Sequence, residues 1–147
     1  MPVSLTATPP RALGALKAGL GLTVLATAVP LIDLVTLDSL TGHVRAAYPQ
    51  WSADLVAMDR DAIVIALTVI GALGVAGWLV AIRAVAAGAR WARVVTTVLF
   101  ALGAVIALTT LSLSGGAYEN VVPYLYGTLG ALPVAAGAVA VARVWRP

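Results

Sequence analysis

Six carboxylates and one histidine are the side chains in this chain best suited to proton or metal chemistry. Their spacing limits what they could do. Asp54 and Asp61 are seven residues apart, so they share a helical face. About 10 Å separates them along the axis, too far to hold one ion without a third element. Asp59-Arg60-Asp61 forms a local ion pair with negative charge to spare. His43 is the sole histidine, and with Asp38 it falls short of the three or four ligands usual for zinc. A single histidine also excludes bis-histidine haem ligation within one chain. The sequence has no cysteine, which rules out thiol catalysis, structural disulfides and iron–sulfur ligation. No nucleophile–base pair or phosphate-binding glycine loop accompanies these groups. The sequence therefore reads as non-enzymatic, with no cofactor and no metal. What remains is a candidate acidic rim of Asp33, Asp54, Asp59, Asp61 and Glu119, suited to attracting a cation or a basic partner.

The elements that position these groups follow from composition. Of 147 residues, 61% are hydrophobic and 10% charged, against roughly 25% charged in a soluble domain. Lipid must be the solvent for much of this surface. Four apolar runs reach the ~20 residues that cross a ~30 Å hydrocarbon core: about Ala12–Ile32, Ala62–Ile82, Val94–Leu113 and Val121–Ala142. The expected fold class is an all-α membrane protein, a four-transmembrane-helix bundle forming a single membrane domain. Apart from Lys17, close enough to its helix start to reach the headgroups along its own stem, no ionisable side chain lies in these runs. An ion-coupled carrier or membrane enzyme should show one.

Charge sets the orientation. Arg11, Lys17, Arg83, Arg90, Arg93, Arg143 and Arg146 make seven of the nine bases, and all fall on one side of the spans. Cytoplasmic flanks carry such an excess, so both termini and the 83–93 loop are expected in the cytoplasm of a multi-pass plasma-membrane protein. The loops at 33–61 and 114–120 then face outward with all six acids, Arg45 and Arg60. A pI near 9.8 reflects this topology and not nucleic-acid binding, since no basic patch with interleaved aromatics exists. Ala26-Thr27-Ala28 resembles a leader cleavage site, but the apolar run continues past it, and an uncleaved first helix is expected.

In the 33–61 loop, Leu37, Leu40, Val44, Ala47 and Tyr48 cluster on a helical wheel. They predict a short amphipathic helix over about 38–48, started by Asp38 or Ser39 and stopped by Pro49. Leu37, Leu40, Val44, Tyr48 and Trp51 form a candidate outer interface. Ser52 suits an N-cap. No breaker follows before Arg83, which predicts a second spanning helix of about 31 residues that projects beyond the lipid. Gly88 suits the cytoplasmic turn, while Pro133 falls inside the last span and should kink it.

Each span also carries a line of small residues that would let helices approach closely, because packing replaces the hydrophobic effect in lipid. These are Gly14, Ala18 and Gly21; Gly71, Gly74 and Gly77; Gly103 and Ala107; and Gly127, Gly130 and Gly137. Thr96, Thr110 and Ser114 add a polar line on the third span, a candidate lipid or substrate groove.

The segments Gly42-His-Val-Arg-Ala-Ala-Tyr-Pro, Gly71-Ala-Leu-Gly-Val-Ala-Gly-Trp and Gly88-Ala-Arg-Trp-Ala-Arg resemble a group of small actinobacterial four-helix membrane proteins. No activity attaches to that group, so the resemblance implies architecture and no mechanism. Claudin-like proteins share the topology, but their paired loop cysteines and Trp-Gly-Leu-Trp stretch are missing here. The expected function is that of an accessory or scaffold subunit, docking on a membrane-protein partner through the acidic loop or a small-residue stripe. A small oligomeric transporter, channel or lipid-binding protein with an acidic mouth is the alternative, as a homo-oligomer in the bilayer.

Overall fold

The computed structural model describes residues 10–146. Five helices follow one another: α1 Pro10–Val35, α2 Ser39–Ala47, α3 Ala53–Ala86, α4 Ala92–Ser112 and α5 Tyr124–Val144. All but α2 are long and apolar enough to cross a membrane. Within their most hydropathic windows only 11–28% of residues are buried, so apolar side chains face outward as well as inward. A helix apolar all round is at home only in a large core or in lipid. Four such helices in 147 residues make this a multi-pass membrane protein.

The four long helices alternate in direction, and this gathers six of the eight arginines at one end of the bundle and all six acids, with Arg45 and Arg60, at the other. α1 packs against α3 and α5, and α5 against α4, whereas α3 and α4 touch sparingly. The ring therefore closes on three sides only. At the arginine end Ala12, Leu16, Ala81, Ala84, Val85, Ala92 and Ala140 form one small-residue core. At the acidic end Leu40, Val44, Val56, Ile63, Val122 and Tyr126 form a second.

Local chemistry explains the boundaries. α1 runs one turn past the expected Ile32, through the buried Pro30, whose missing N–H leaves the helix a bond short. It ends when the Asp33 carbonyl accepts Thr36 N–H at 3.1 Å and Asp38 N–H at 2.7 Å. Asp38 adopts the left-handed φ of 49°, which aspartate tolerates better than most residues. α3 starts at Ser52, whose hydroxyl accepts the Leu55 N–H. It spans 34 residues, about 51 Å at 1.5 Å per residue. Its other end closes on Gly88, at φ 63°, with Ala89 N–H bonded to the Ala84 carbonyl. That is the glycine-terminated helix end in which the left-handed residue costs least. α5 begins at Tyr124, three residues later than the expected Val121, because Val121 N–H is held by the Leu113 carbonyl at 2.8 Å.

Candidate functional site

The acidic end is a folded cap. Asp33 Oδ2 accepts both the backbone N–H and the hydroxyl of Ser39 at 2.9 Å, so a side chain of α1 caps α2. Ser39 Oγ lies 3.0 Å from the Tyr126 hydroxyl, tying both to α5. Arg60 bridges Asp38 at 3.3 Å and Asp61 at 2.8 Å. Asp59 accepts the Tyr118 hydroxyl. His43 Nε2 is within 3.2 Å of the Asn120 and Val121 carbonyls. Since both partners are acceptors, Nε2 carries the proton. The imidazole stacks on Tyr118 at 5.2 Å. Asn120, buried, donates to the Thr110 and Val122 carbonyls and fastens the 113–123 segment to α4.

These bonds divide the acidic rim in two. Asp33 and Asp59 are used inside the cap, and Asp61 is half spent on Arg60. Asp54 and Glu119 stand exposed, with no side-chain hydrogen bond or ion pair among the described residues. The described residues include no group of three acidic or histidine side chains able to hold a metal ion. The rim is therefore a set of structural bonds with two free carboxylates, because a neutral or cationic donor faces each of the others.

The expected interface of α2 is redistributed in the same way. Leu40 and Val44 are fully buried against α3 and α5 residues. Leu37 falls in the turn before α2 and is 83% exposed, because the helix starts at Ser39 and leaves that residue off its apolar face. Tyr48 and Trp51 stack on each other at 3.8 Å, and the Tyr48 hydroxyl accepts the Ala117 N–H at 3.0 Å.

Tyr118 offers a readout of this cap. Burial and then the Asp59 carboxylate raise its phenol above the ordinary value of 10.0. A folded-state pKa above the unfolded one stabilises fully below pH ~10 and is lost as pH rises through the folded value. Tyrosinate absorbance should thus show a late-titrating component whose amplitude Tyr118→Phe reduces by one phenol, with the cap loosening only above pH ~10. An unchanged late amplitude in Tyr118→Phe would contradict the Asp59 contact.

The small-residue lines also separate into two kinds. A Cβ on Gly71 would run into Thr27, and one on Gly74 would lie 3.0 Å from the Thr23 methyl. Those are α1–α3 approaches. Gly77 meets Leu99, and Gly127 meets Leu111. Gly137 makes room for Phe100 and the Trp78 indole. At Gly14, Gly21, Gly103 and Gly130 an added methyl would meet nothing within 4 Å, and Ala18 is exposed. On α1 the close approach is made instead by Gly19, against the Trp78 ring. Trp78 is held there by a 2.8 Å bond from its Nε1–H to Thr23 Oγ1. Gly19 lies off the expected line because the α1–α3 contact is fixed by where the indole sits. A tryptophan directly after Gly77 was the available signal.

Gly103 and Gly130, with Ala107, face an internal space where α3 and α4 part. A cavity of about 390 Å³ lies there, walled by all four long helices. A second, of about 410 Å³, shares Leu67, Ile70, Ile106 and Thr110 with it and reaches Asp59 in the cap. Sharing these wall residues, the two adjoin as a cleft down the open side of the ring. From Asp59 to Ala81 it extends ~33 Å along α3, close to a hydrocarbon core's ~30 Å. No Asp, Glu, Lys, Arg or His lines the 390 Å³ part. Its hydroxyls come from Thr23, Thr27, Thr96, Thr110 and Tyr126. Thr96 and Thr110 of the expected polar line are in its wall, while Ser114 lies beyond the end of α4 and is exposed.

At the arginine end Arg83, Arg90, Arg93 and Arg146 are exposed. Arg93 lies over the Trp145 ring, 5.9 Å from its centroid. Arg143 donates to the Arg11 carbonyl at 2.7 Å. Compared with known proteins, the chain matches no family model, no curated protein and no solved structure.

Proposed function

We propose that this chain is a non-enzymatic protein of the plasma membrane, termini cytoplasmic, that holds an elongated lipid molecule in the cleft between α3 and α4. The separation of these two helices carries the reading. Two sequence-adjacent helices joined by a short hairpin would ordinarily pack along their length; here glycines at 103 and 130 leave the space open. The volume falls in the range of small-molecule sites, which are concave and mostly apolar. The 390 Å³ part, within the membrane span, has no charged group in its lining to drive ion translocation or catalysis. The arginine-rich end supports the cytoplasmic assignment of the termini.

Native mass spectrometry of the full chain, extracted in mild detergent, tests this. A retained lipid mass is expected with wild type and should be lost with Gly103→Leu or Gly130→Leu, whose side chains would occupy the cleft. Both positions are free of neighbours, so the bundle should still fold. Retention of the same lipid by both variants would defeat the proposal.

The open α1 face favours a second reading, an accessory subunit. Gly14, Ala18 and Gly21 point away from the bundle, an arrangement that suits a helix of a membrane partner or a second copy. Its signature in the same measurement is a protein mass that Gly21→Leu removes and Gly103→Leu does not.

A further inference from the structure

We infer that the cleft selects a neutral amphiphile, one long apolar chain with an uncharged hydroxyl or carbonyl head, and that Thr96 is the residue that hydrogen-bonds this head. The inference rests on the cleft being a lipid site. Its own support comes from the hydrogen bonding of one side chain.

Every other threonine among the described residues donates its hydroxyl. Thr23, Thr27, Thr68, Thr97, Thr109, Thr110 and Thr128 bond a carbonyl of their own helix, and Thr36, just past α1, bonds the Ile32 carbonyl. Thr41 bonds Asp38. This is the usual way a helix in lipid satisfies a hydroxyl. Thr96 does not follow it. It is 3% exposed, its Oγ1 has no partner, and it lines the cleft wall. A buried hydroxyl without a partner is unfavourable, so the site is completed by something that supplies one. Rotation about χ1 alone exchanges the Thr96 methyl and hydroxyl, so a ligand oxygen can be met without moving the backbone.

Position narrows the ligand. Thr96 is four residues into α4, ~6 Å below its start, just above the tight core at the arginine end. Phe100 stands one turn further along the same wall, with the Trp78 indole nearby across Gly137. The polar head thus sits at the closed end of the cleft, and the chain extends toward Ile106 and Leu67. Because no ionisable group of the acidic or basic kind lines this part, a carboxylate or phosphate head would be buried without a counter-charge, at high cost. A neutral head meets no such penalty.

The test uses the full chain in phosphatidylcholine nanodiscs, with Trp51, Trp91 and Trp145 changed to Phe so that Trp78 reports alone. Dibrominated oleyl alcohol is the probe, read by quenching of Trp78 fluorescence, and the matching dibrominated fatty acid at pH 9 is its charged comparison. Saturable quenching by the alcohol is expected, weakened roughly two- to tenfold by Thr96→Val, the range of one neutral hydrogen bond. Thr96→Ser should retain wild-type affinity. The ionised acid should bind at least tenfold more weakly than the alcohol. Thr96→Val is nearly isosteric and removes an unsatisfied group, so the variant should fold at least as stably as its parent. Equal binding by Thr96→Val and its parent, or by acid and alcohol, overturns the inference while leaving a lipid site intact. If the alcohol quenches no more than bulk lipid does, or Gly103→Leu leaves its binding unchanged, the cleft itself is not a site and the proposed function falls with it.

Discussion

Gly71→Ala is expected to destabilise the bundle by roughly 1–3 kcal/mol, the usual cost of overpacking a tight contact. The new methyl would collide with three atoms of Thr27, including its Cβ. A rotamer change moves the other two atoms but not the Cβ, so α1 and α3 must part. They cannot do so freely, because Thr23 and Trp78 join the same two helices through a 2.8 Å bond one helical turn or two away. Gly19→Ala should behave similarly, since its methyl would enter the Trp78 ring, and that ring is boxed from the other side by Gly137. Gly14→Ala and Gly21→Ala, on the same helix, meet open space and should fall within ~0.5 kcal/mol of wild type. Unfolding in mixed micelles with increasing dodecyl sulfate would rank the four. Equal costs for all four alanines would mean that α1 does not meet α3 along the Gly19 and Gly71 faces.

Asp33→Ala should release α2 at a cost of roughly 1.5–3 kcal/mol, the range for hydrogen bonds to a charged group. The carboxylate takes two bonds from Ser39, and the Asp38 position of α2 supplies no side-chain cap of its own. Loss of Asp33 therefore leaves the Ser39 N–H without its side-chain acceptor and Tyr126 without its indirect tie to α1. Hydrogen exchange should rise across residues 39–47 while α4 stays protected. Asp54→Ala, at a free carboxylate, should leave exchange over α2 unchanged. Equal protection of α2 in Asp33→Ala and wild type would show that Leu40 and Val44 hold the helix without the cap.

Several features of the site are legible in the sequence alone. Ser52 as a helix start and Gly88 as a turn follow from residue chemistry at single positions, and both are observed. The cap network is not legible there, because Asp33–Ser39–Tyr126, Asp59–Tyr118 and His43–Asn120 join residues up to 87 apart in sequence. A carboxylate in a loop looks the same in the sequence whether it is free or bonded. For this reason the acidic rim shrinks to Asp54 and Glu119 once partners are known.

The glycines show the same limit from the other side. A run such as Gly71-x-x-Gly74-x-x-Gly77 marks a face with little side chain, but close approach and empty space both require that. Gly71 is a contact and Gly103 borders a cavity, and nothing local distinguishes them. Thr96 is equally ambiguous alone, since its neighbour Thr97 bonds the Arg93 carbonyl in the ordinary way.

The sequence by itself determined that lipid surrounds this chain, how many helices cross it and which ends carry which charge. These are solvation properties, additive over residues and set by composition along short segments. Only the tertiary structure decided that the ring stays open between α3 and α4, that Trp78 sits on Gly19, and that Thr96 is left without a partner. Those depend on which faces meet, and the balance between two packings of apolar helices in an apolar solvent rests on shape, which composition does not encode.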